Sequence, residues 1–472
     1  MKKIILFLIA GMIAMTSCSD WLDTAPSNQL TPDMAFQSID DAEVATRGLY
    51  RLMWTQGGAA YYGAQMFFYG DVMADDVRTY APADRTANTY RHIHTPENSL
   101  GGLWSKPYEA LLNANFVLSK LDDLPTRTQN DVIRVEHARG QALALRALFH
   151  FDLVRVFGPM PANADPSVSL GVPLVTRVVR PDENLSRNTV AEVYAQVVKD
   201  LEEAIPLLPT ARVTDGTLNK WGAQALLARV HLYQGNYSKA LELAEDIIHN
   251  GPYYLLPYNA YVDSWAGDFS VESIFELVFN STASADREGI GYLWAPGGYG
   301  AMTLTRSFID LMLDDSEDVR AGLVKVDSRD SNAMYLAKFP GKNYTDSRIN
   351  NPRIIRLSEI YLIASEAALK TGDQAEANSY LKTLYDTRTN RDNDVGQVDL
   401  DRILLERRKE LVGEGHRFFD LMRNSLSVIR TGSDHFTTSF ELGPDHHRAL
   451  LPIPQFEINA NKNIVQNPGY GG

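Results

Sequence analysis

Few residues in this 472-residue chain are spaced for chemistry, and each has a plainer reading beside it. His92-Ile93-His94 would point two imidazoles the same way from a strand, as a metal site requires. With no cysteine or carboxylate at ligand spacing nearby, two exposed or loop-packing histidines are the better reading. His446-His447 is weaker still, because adjacent residues rarely share a ligand geometry. The acidic doublets Asp75-Asp76, Glu202-Glu203 and Asp314-Asp315 could supply the paired carboxylates of a glycosidase. Such a pair must stand ~5–10 Å apart across a cleft, and solvated surface is the ordinary role of a doublet. In "LLERRKEL", Glu406 and Glu410 interleave with Arg407, Arg408 and Lys409, a pattern that reads as ion pairing along a helix face. No Gly-x-Ser-x-Gly, His-Glu-x-x-His, Gly-x-Gly-x-x-Gly or Walker A sequence occurs. No catalytic set is singled out by these residues, and no cofactor is expected.

The lone cysteine, Cys18, follows Lys2, Lys3 and the apolar run Ile4 to Ala14. That run is shorter than the ~20 residues of a membrane span and matches the h-region of a secretory signal. Met15-Thr16-Ser17-Cys18 resembles a bacterial lipobox, with methionine where leucine is usual. On this reading residues 1–17 are removed and Cys18 carries acyl chains that hold the protein at a membrane. A single cysteine excludes an internal disulfide framework. A net charge of −14 argues against nucleic acid, whose binding depends on Lys and Arg neutralising phosphates.

The elements that must position any site are helical. Trp104, Tyr108, Leu111, Leu118 and Leu121 fall on one face of a helix with Ser105 as its cap, and Trp104 and Trp221 read as core. Glu136 to Gly158 is apolar nearly all round and predicts a buried central helix. Thr189-x-x-Glu192 is a capping box. Asn351 to Arg388 and Leu404 to Arg423 read as further helix. Two segments share a plan, helix, glycine turn, helix, with Gly235 five residues before Ala240 and Gly372 five before Ala377. This is tetratricopeptide-like. Long irregular stretches, 56–102, 251–303 and 431–472, separate the helical blocks and hold crowded aromatics, so the surface is expected to be aromatic loop.

Taken together, "CSDWLDTAPSNQLTPDMAF", "ARGQALALRALFHFDLVRVFGPMP", "RNTVAEVYAQVVKDLEEAIPLLP", "LNKWGAQALLARVHLYQGNYSKALELAEDII", "RLSEIYLIASEAALKTGDQAEANSYLKTLYDTR", "LLERRKELVGEGHRFFDLMR" and "LLPIPQFEINANKNIVQNPGY" resemble the SusD/RagB family of outer-membrane nutrient-binding lipoproteins. The resemblance implies a mostly α fold, a right-handed superhelix of tetratricopeptide-like helix pairs supporting an irregular ligand-binding half. It divides the chain into a signal (1–17), an N-terminal region (18–250) and a C-terminal region with binding loops (251–472), the last two forming one intimate unit. It implies lipid anchorage in the outer membrane, facing outward, and a SusC-like TonB-dependent transporter as partner. The bound ligand would be a glycan or, alternatively, a peptide; a surface glycoside hydrolase and a purely structural adaptor are the rival readings.

"GDVMADDVRTY" resembles an acidic-basic loop that lines the family's site, which nominates Asp76, Arg78 and Tyr80, with Asn98 from a second contributing stretch. In the central loops, glycines 289, 291, 297, 298 and 300 would leave rings exposed, which nominates Trp265, Tyr292, Trp294 and Tyr299. The apolar face of a pyranose stacks on such rings while its hydroxyls bond to Asp, Asn and Arg.

Overall fold

The computed structural model describes residues 36–54, 60–392, 395–436 and 439–471. The expected signal segment and the expected lipidation site at Cys18 lie outside the described residues.

The N-terminal half is a stack of helices begun by short polar caps. Helix α1 (Ile39–Leu52) opens on a Ser38/Asp41 capping box. A π-helical stretch, Tyr61–Gln65, runs into α2 (Met66–Val72), and α3 (Ala87–Tyr90) is one turn. Helix α4 (Gly102–Lys120) starts three residues before Ser105, which is therefore inside it rather than its cap. Trp104, in its first turn, packs edge-on against Phe157 at 4.9 Å. Helix α5 (Gln129–Phe157) is the central helix, seven residues longer at its N-terminus than its apolar stretch because Thr128 and Asp131 cap it there. From Gly140 to Phe157 every residue is buried. Helix α6 (Val190–Ala204) carries the expected Thr189/Glu192 box, with Glu192 N–H donating to Thr189 Oγ1 at 3.2 Å.

The two tetratricopeptide-like pairs are α7 (Lys220–Gln234) with α8 (Tyr237–Asn250), and further along the chain Leu357–Thr371 with Gln374–Thr389. Gly235 (φ 74°) and Gly372 (φ 91°) end the first helix of each pair in the left-handed conformation that a side chain resists. Ala240 and Ala377 are fully buried where the helices cross, and Ser365 Oγ donates to the Ala377 carbonyl at 2.8 Å.

Among the described residues there are four two-stranded antiparallel ribbons. They join β1 (Val77–Thr79) to β3 (Met302–Leu304), β2 (Ser273–Glu276) to β6 (Arg353–Arg356), β4 (Val324–Asp327) to β5 (Asp330–Leu336), and β7 (Val428–Thr431) to β8 (Ser439–Leu442). The short helices α9 (Ile290–Trp294) and α10 (Arg306–Leu313) flank β3. After β6 come α11 (Leu357–Thr371), α12 (Gln374–Thr389), α13 (Leu400–Leu411) and α14 (Arg417–Arg423), and α15 (Gln455–Ala460) lies near the C-terminus. Strand β6 occupies the start of the region read as helix from Asn351; pairing with a strand some eighty residues earlier overrides the local pattern.

Two expectations about polarity are reversed. The "LLERRKEL" helix, α13, is buried, and its charges reach other elements. Glu410 accepts from Arg388 Nε at 2.9 Å, Arg356 Nη1 at 3.0 Å and Arg320 Nη1 at 3.4 Å, all four side chains enclosed. Glu414 accepts from Arg356 and from Lys338 Nζ, each at 2.7 Å. Arg402–Glu406, at 3.5 Å, is a pair of the expected same-face kind. Likewise Asp75-Asp76 is not a solvated doublet: Asp75 meets Arg417 at 2.8 Å and Asp76 meets Arg408 Nε at 2.6 Å.

Apart from Tyr80, the aromatics of the first irregular stretch are core rather than surface. Tyr61, Tyr62, Phe67, Phe68 and Tyr69 are buried on helix, with Phe149, Phe418 and Phe419 among their neighbours. Gly70 makes this possible, since a Cβ there would run into the Gly415 backbone. His92 and His94 are buried packing residues: His92 lies over Phe440 at 5.0 Å, and His94 spans Thr89 Oγ1 and the Asn98 carbonyl at 3.0 and 2.9 Å. Burial holds both imidazoles below their ordinary pKa.

Candidate functional site

The β1–β3 ribbon builds one aromatic and cationic surface. Strand alternation sends Val77 and Thr79 inward, both fully buried, and leaves Arg78 and Tyr80 half-exposed on the other face. Arg78 pairs with Thr303, and the Tyr80 N–H donates to the Ala301 carbonyl at 2.8 Å, so the strand's outer face continues past Thr79. On the other side of the ribbon, α9 and the glycine-rich turn fold back on themselves. Tyr299 N–H donates to the Tyr292 carbonyl at 2.9 Å, and the two rings meet edge to face with centroids 4.9 Å apart.

Two guanidiniums hold Tyr80 and Tyr299, and a third stands by Phe436. Arg329, in the β4–β5 turn, lies 3.9 Å from the centre of the Tyr80 ring. Its Nη2 donates to the Gly300 carbonyl at 2.9 Å and to Asp327 Oδ2 at 2.6 Å. Gly300 adopts φ 49°, and a Cβ there would collide with the Arg329 guanidinium, so glycine is required twice over. Arg85 lies 3.8 Å from the centre of the Tyr299 ring and bonds both oxygens of Glu288 at 3.1 Å. Arg78 stands 5.1 Å from the Phe436 ring. Its Nη1 donates to the carbonyls of Thr79 and Tyr80 at 3.2 and 3.3 Å, and among the described residues no carboxylate lies within ion-pair distance of it. Partial burial lowers its pKa from the ordinary arginine value. The neighbouring His435 anchors the Phe436 segment, its Nδ1 2.8 Å from the Tyr90 hydroxyl.

Residues 20–232 match the family described as starch-binding associating with outer membrane, and residues 326–470 match the SusD family. A SusD superfamily protein from Bacteroides thetaiotaomicron is 38% identical to the chain. Its crystal structure matches with a TM-score of 0.84 over 91% of this chain and 100% of that one. The chain belongs to the SusD superfamily. A second superfamily member, from Bacteroides vulgatus, is 36% identical with a TM-score of 0.86, covering 93% of this chain and all of its own. Among curated proteins, SusD-like protein P25 of Formosa agariphila is 25% identical over 96% of this chain and 97% of its own length. The superfamily's tetratricopeptide-like helical fold is the one described above.

Of the residues nominated from the sequence, Arg78, Tyr80, Tyr292 and Tyr299 come together on this surface. Three others are corrected by burial. Asp76 is consumed by Arg408, with Arg417 a further 3.7 Å neighbour. Trp265 is 6% exposed, its ring covered by Arg353, Lys338 and Arg356 at 4.4, 4.8 and 5.1 Å. Trp294 is 2% exposed: it lies on α9 two residues beyond Tyr292 and turns into the core. Asn98 is exposed, but its side chain accepts the Thr95 N–H at 2.6 Å, and no contact among the described residues ties it to the tyrosines. The sequence reading missed Arg85, Arg329, Glu288 and Phe436. Arg85 sits five residues after Tyr80 in the same loop and could have been weighed with it; Arg329 carries no local signal.

Proposed function

We propose that the chain captures a glycan on the Tyr80, Tyr292 and Tyr299 surface and does not cleave it. One observation carries this reading: segments some 75, 290, 330 and 435 residues along the chain converge to present tyrosines at a single face, with guanidiniums fixing two of them. Rings so held offer stacking area to a sugar at little entropic cost, and Arg78, with donors to spare, supplies hydrogen bonds to hydroxyls. The description of the family that residues 20–232 match, starch-binding and associated with the outer membrane, supports the same ligand class and place.

The non-catalytic part of the proposal is supported by the two carboxylates that hold these arginines, the half-buried Glu288 and the enclosed Asp327. Glu288 and Asp327 each face an arginine, and the Arg329 hydrogen bond holds Asp327 below the usual carboxylate range. Desolvation is the strongest influence on Asp327 and pushes the other way, yet the arginine prevails. A glycosidase acid needs the opposite shift. No helix among the described residues is long and apolar enough to cross a membrane. Acylation at Cys18 would supply the tether, facing outward, and a SusC-like TonB-dependent transporter would receive the ligand.

Calorimetric titration of the lipid-free chain against plant, microbial and host glycans, with mixed oligopeptides alongside, tests this. Glycan binding abolished by Tyr299→Ala is the expected result. Binding of peptides alone would replace the glycan, and release of shorter sugars from a bound oligosaccharide by pure protein would end the non-catalytic reading.

A further inference from the structure

Behind the tyrosine surface lies a recess of about 220 Å³. Gln65, Phe68, Thr86 and Leu293 line it and are buried, while Arg85, Glu288 and the half-buried Leu100 form its mouth. It is continuous with the tyrosine surface through shared residues. Arg85, at its mouth, is the cation over Tyr299. Helix α9 places Tyr292 on the surface and the next residue, Leu293, in the recess. Ala301 ties the two together, donating to the Leu293 carbonyl at 2.8 Å and accepting from Thr86 Oγ1 at 3.3 Å.

Size and lining restrict what fits. Pockets for drug-sized ligands run to ~300–1,000 Å³, so this recess has room for one ring and not for a chain. Phe68, Leu100 and Leu293 suit the C–H face of a sugar. The Thr86 hydroxyl, the Gln65 amide and the Arg85 and Glu288 charges suit its hydroxyls. Ala60 and Ala64 keep one wall short. The ion pair across the mouth is open to exchange: the Arg85 and Glu288 side chains are 48% and 33% exposed, and ion pairs so hydrated contribute little. Glu288 can turn outward while Arg85 stays over Tyr299.

We propose that the recess is a subsite for a single pyranose unit, a side branch or a chain end, entered past Arg85 and Glu288 while the rest of the glycan lies along Tyr80, Tyr292 and Tyr299. This rests on the glycan reading above and adds the class of glycan selected, one that offers a lone sugar beside a longer chain.

The test is calorimetric titration of the intact protein with matched linear and singly branched oligosaccharides. Suitable pairs are mannopentaose with and without one galactosyl unit, a cello-oligosaccharide with and without one xylosyl unit, and laminarihexaose with and without one β-1,6-glucosyl unit. For the backbone the protein recognises, the branched member should bind roughly tenfold tighter. Leu100→Trp, which closes the mouth, should remove that preference and leave linear binding and melting temperature in place. Ala64→Leu, filling the recess from the opposite wall, gives the same readout if the tryptophan disturbs folding. A chain end as occupant would show instead as roughly tenfold weaker binding of the linear oligomer in both variants. If Tyr299→Ala abolishes binding but neither recess variant changes any affinity, the subsite is overturned and the surface stands. If no glycan binds the wild-type protein, both fall.

Discussion

The Arg85 guanidinium stands 3.8 Å from the centre of the Tyr299 ring while its Nη1 bonds both carboxylate oxygens of Glu288 at 3.1 Å. The carboxylate aims the cation and the cation aims the ring. Removing the charge with Arg85→Gln should cost about the 0.5–1 kcal/mol of an exposed cation–π contact, roughly a two- to fivefold loss of glycan affinity. Tyr299→Ala removes the ring and its edge contact with Tyr292, and should cost roughly tenfold or more. Titration of both variants with one ligand checks the order. Equal losses with an unbranched ligand would mean that Arg85 also touches the sugars lying along the tyrosines, beyond any unit in the recess.

Gly300 tests whether Arg329 positions Tyr80. Gly300→Ala forces a side chain into the left-handed region, worth about 1–2 kcal/mol, and into the Arg329 guanidinium. The flexible arginine will give way before the backbone does. Binding should therefore fall while the unfolding midpoint drops only a few degrees, measured by calorimetry and thermal melting on the same sample.

Glu410 is the centre of a buried ionic cluster, with Arg320, Arg356 and Arg388 all within 3.4 Å. Glu410→Gln leaves three enclosed guanidiniums short of a counter-charge and should destabilise the fold by about 3–5 kcal/mol. Urea unfolding is the measurement; a loss under about 1 kcal/mol would show that water or Glu272 and Glu406 compensate.

Acid should unfold the protein in two stages. Burial holds neutral His416 and His150 down to about 4 and about 3, so the unfolded chain takes up their protons first. Stability is lost as pH falls from the ordinary histidine value, near 6.5, through those values. Glu414 is ionised against Arg356 and Lys338, which outweigh desolvation and hold it at about 2. Its contribution is present above pH 4.5 and lost on descent through about 2. Melting temperature against pH should show both slopes, and Glu414→Gln should flatten the second.

Asp71 acts in the opposite sense. Burial pushes its carboxyl up to about 8, above the pull of the Gly415 N–H at 3.0 Å. The folded state keeps the proton that the unfolded chain loses near pH 4, so this group costs stability increasingly from about pH 4 to 8. Asp71→Asn should therefore stabilise the protein at pH 7.5 and change little at pH 4. Equal effects at both pH values would show that the carboxylate stays ionised when buried.

The sequence by itself determined the helical frame. The apolar run through Leu143, Leu148 and Val154, the Thr189/Glu192 cap and the glycines at 235 and 372 act within a few residues of themselves. Local hydrogen bonding and backbone sterics are enough to specify them. It also placed Arg78, Tyr80, Tyr292 and Tyr299 as residues to watch. What it left open is which side chains face out. Trp265, Trp294 and Asp76 have the types of binding residues, yet Arg353, the core around α9 and Arg408 enclose them. Tyr80 and Tyr299 stay outside because the β1–β3 pairing, some 220 residues apart, turns one face of the ribbon to solvent and brings Arg329 and Arg85 over their rings. Burial is a property of what packs against a residue, and those partners come from distant chain whose approach no local pattern encodes.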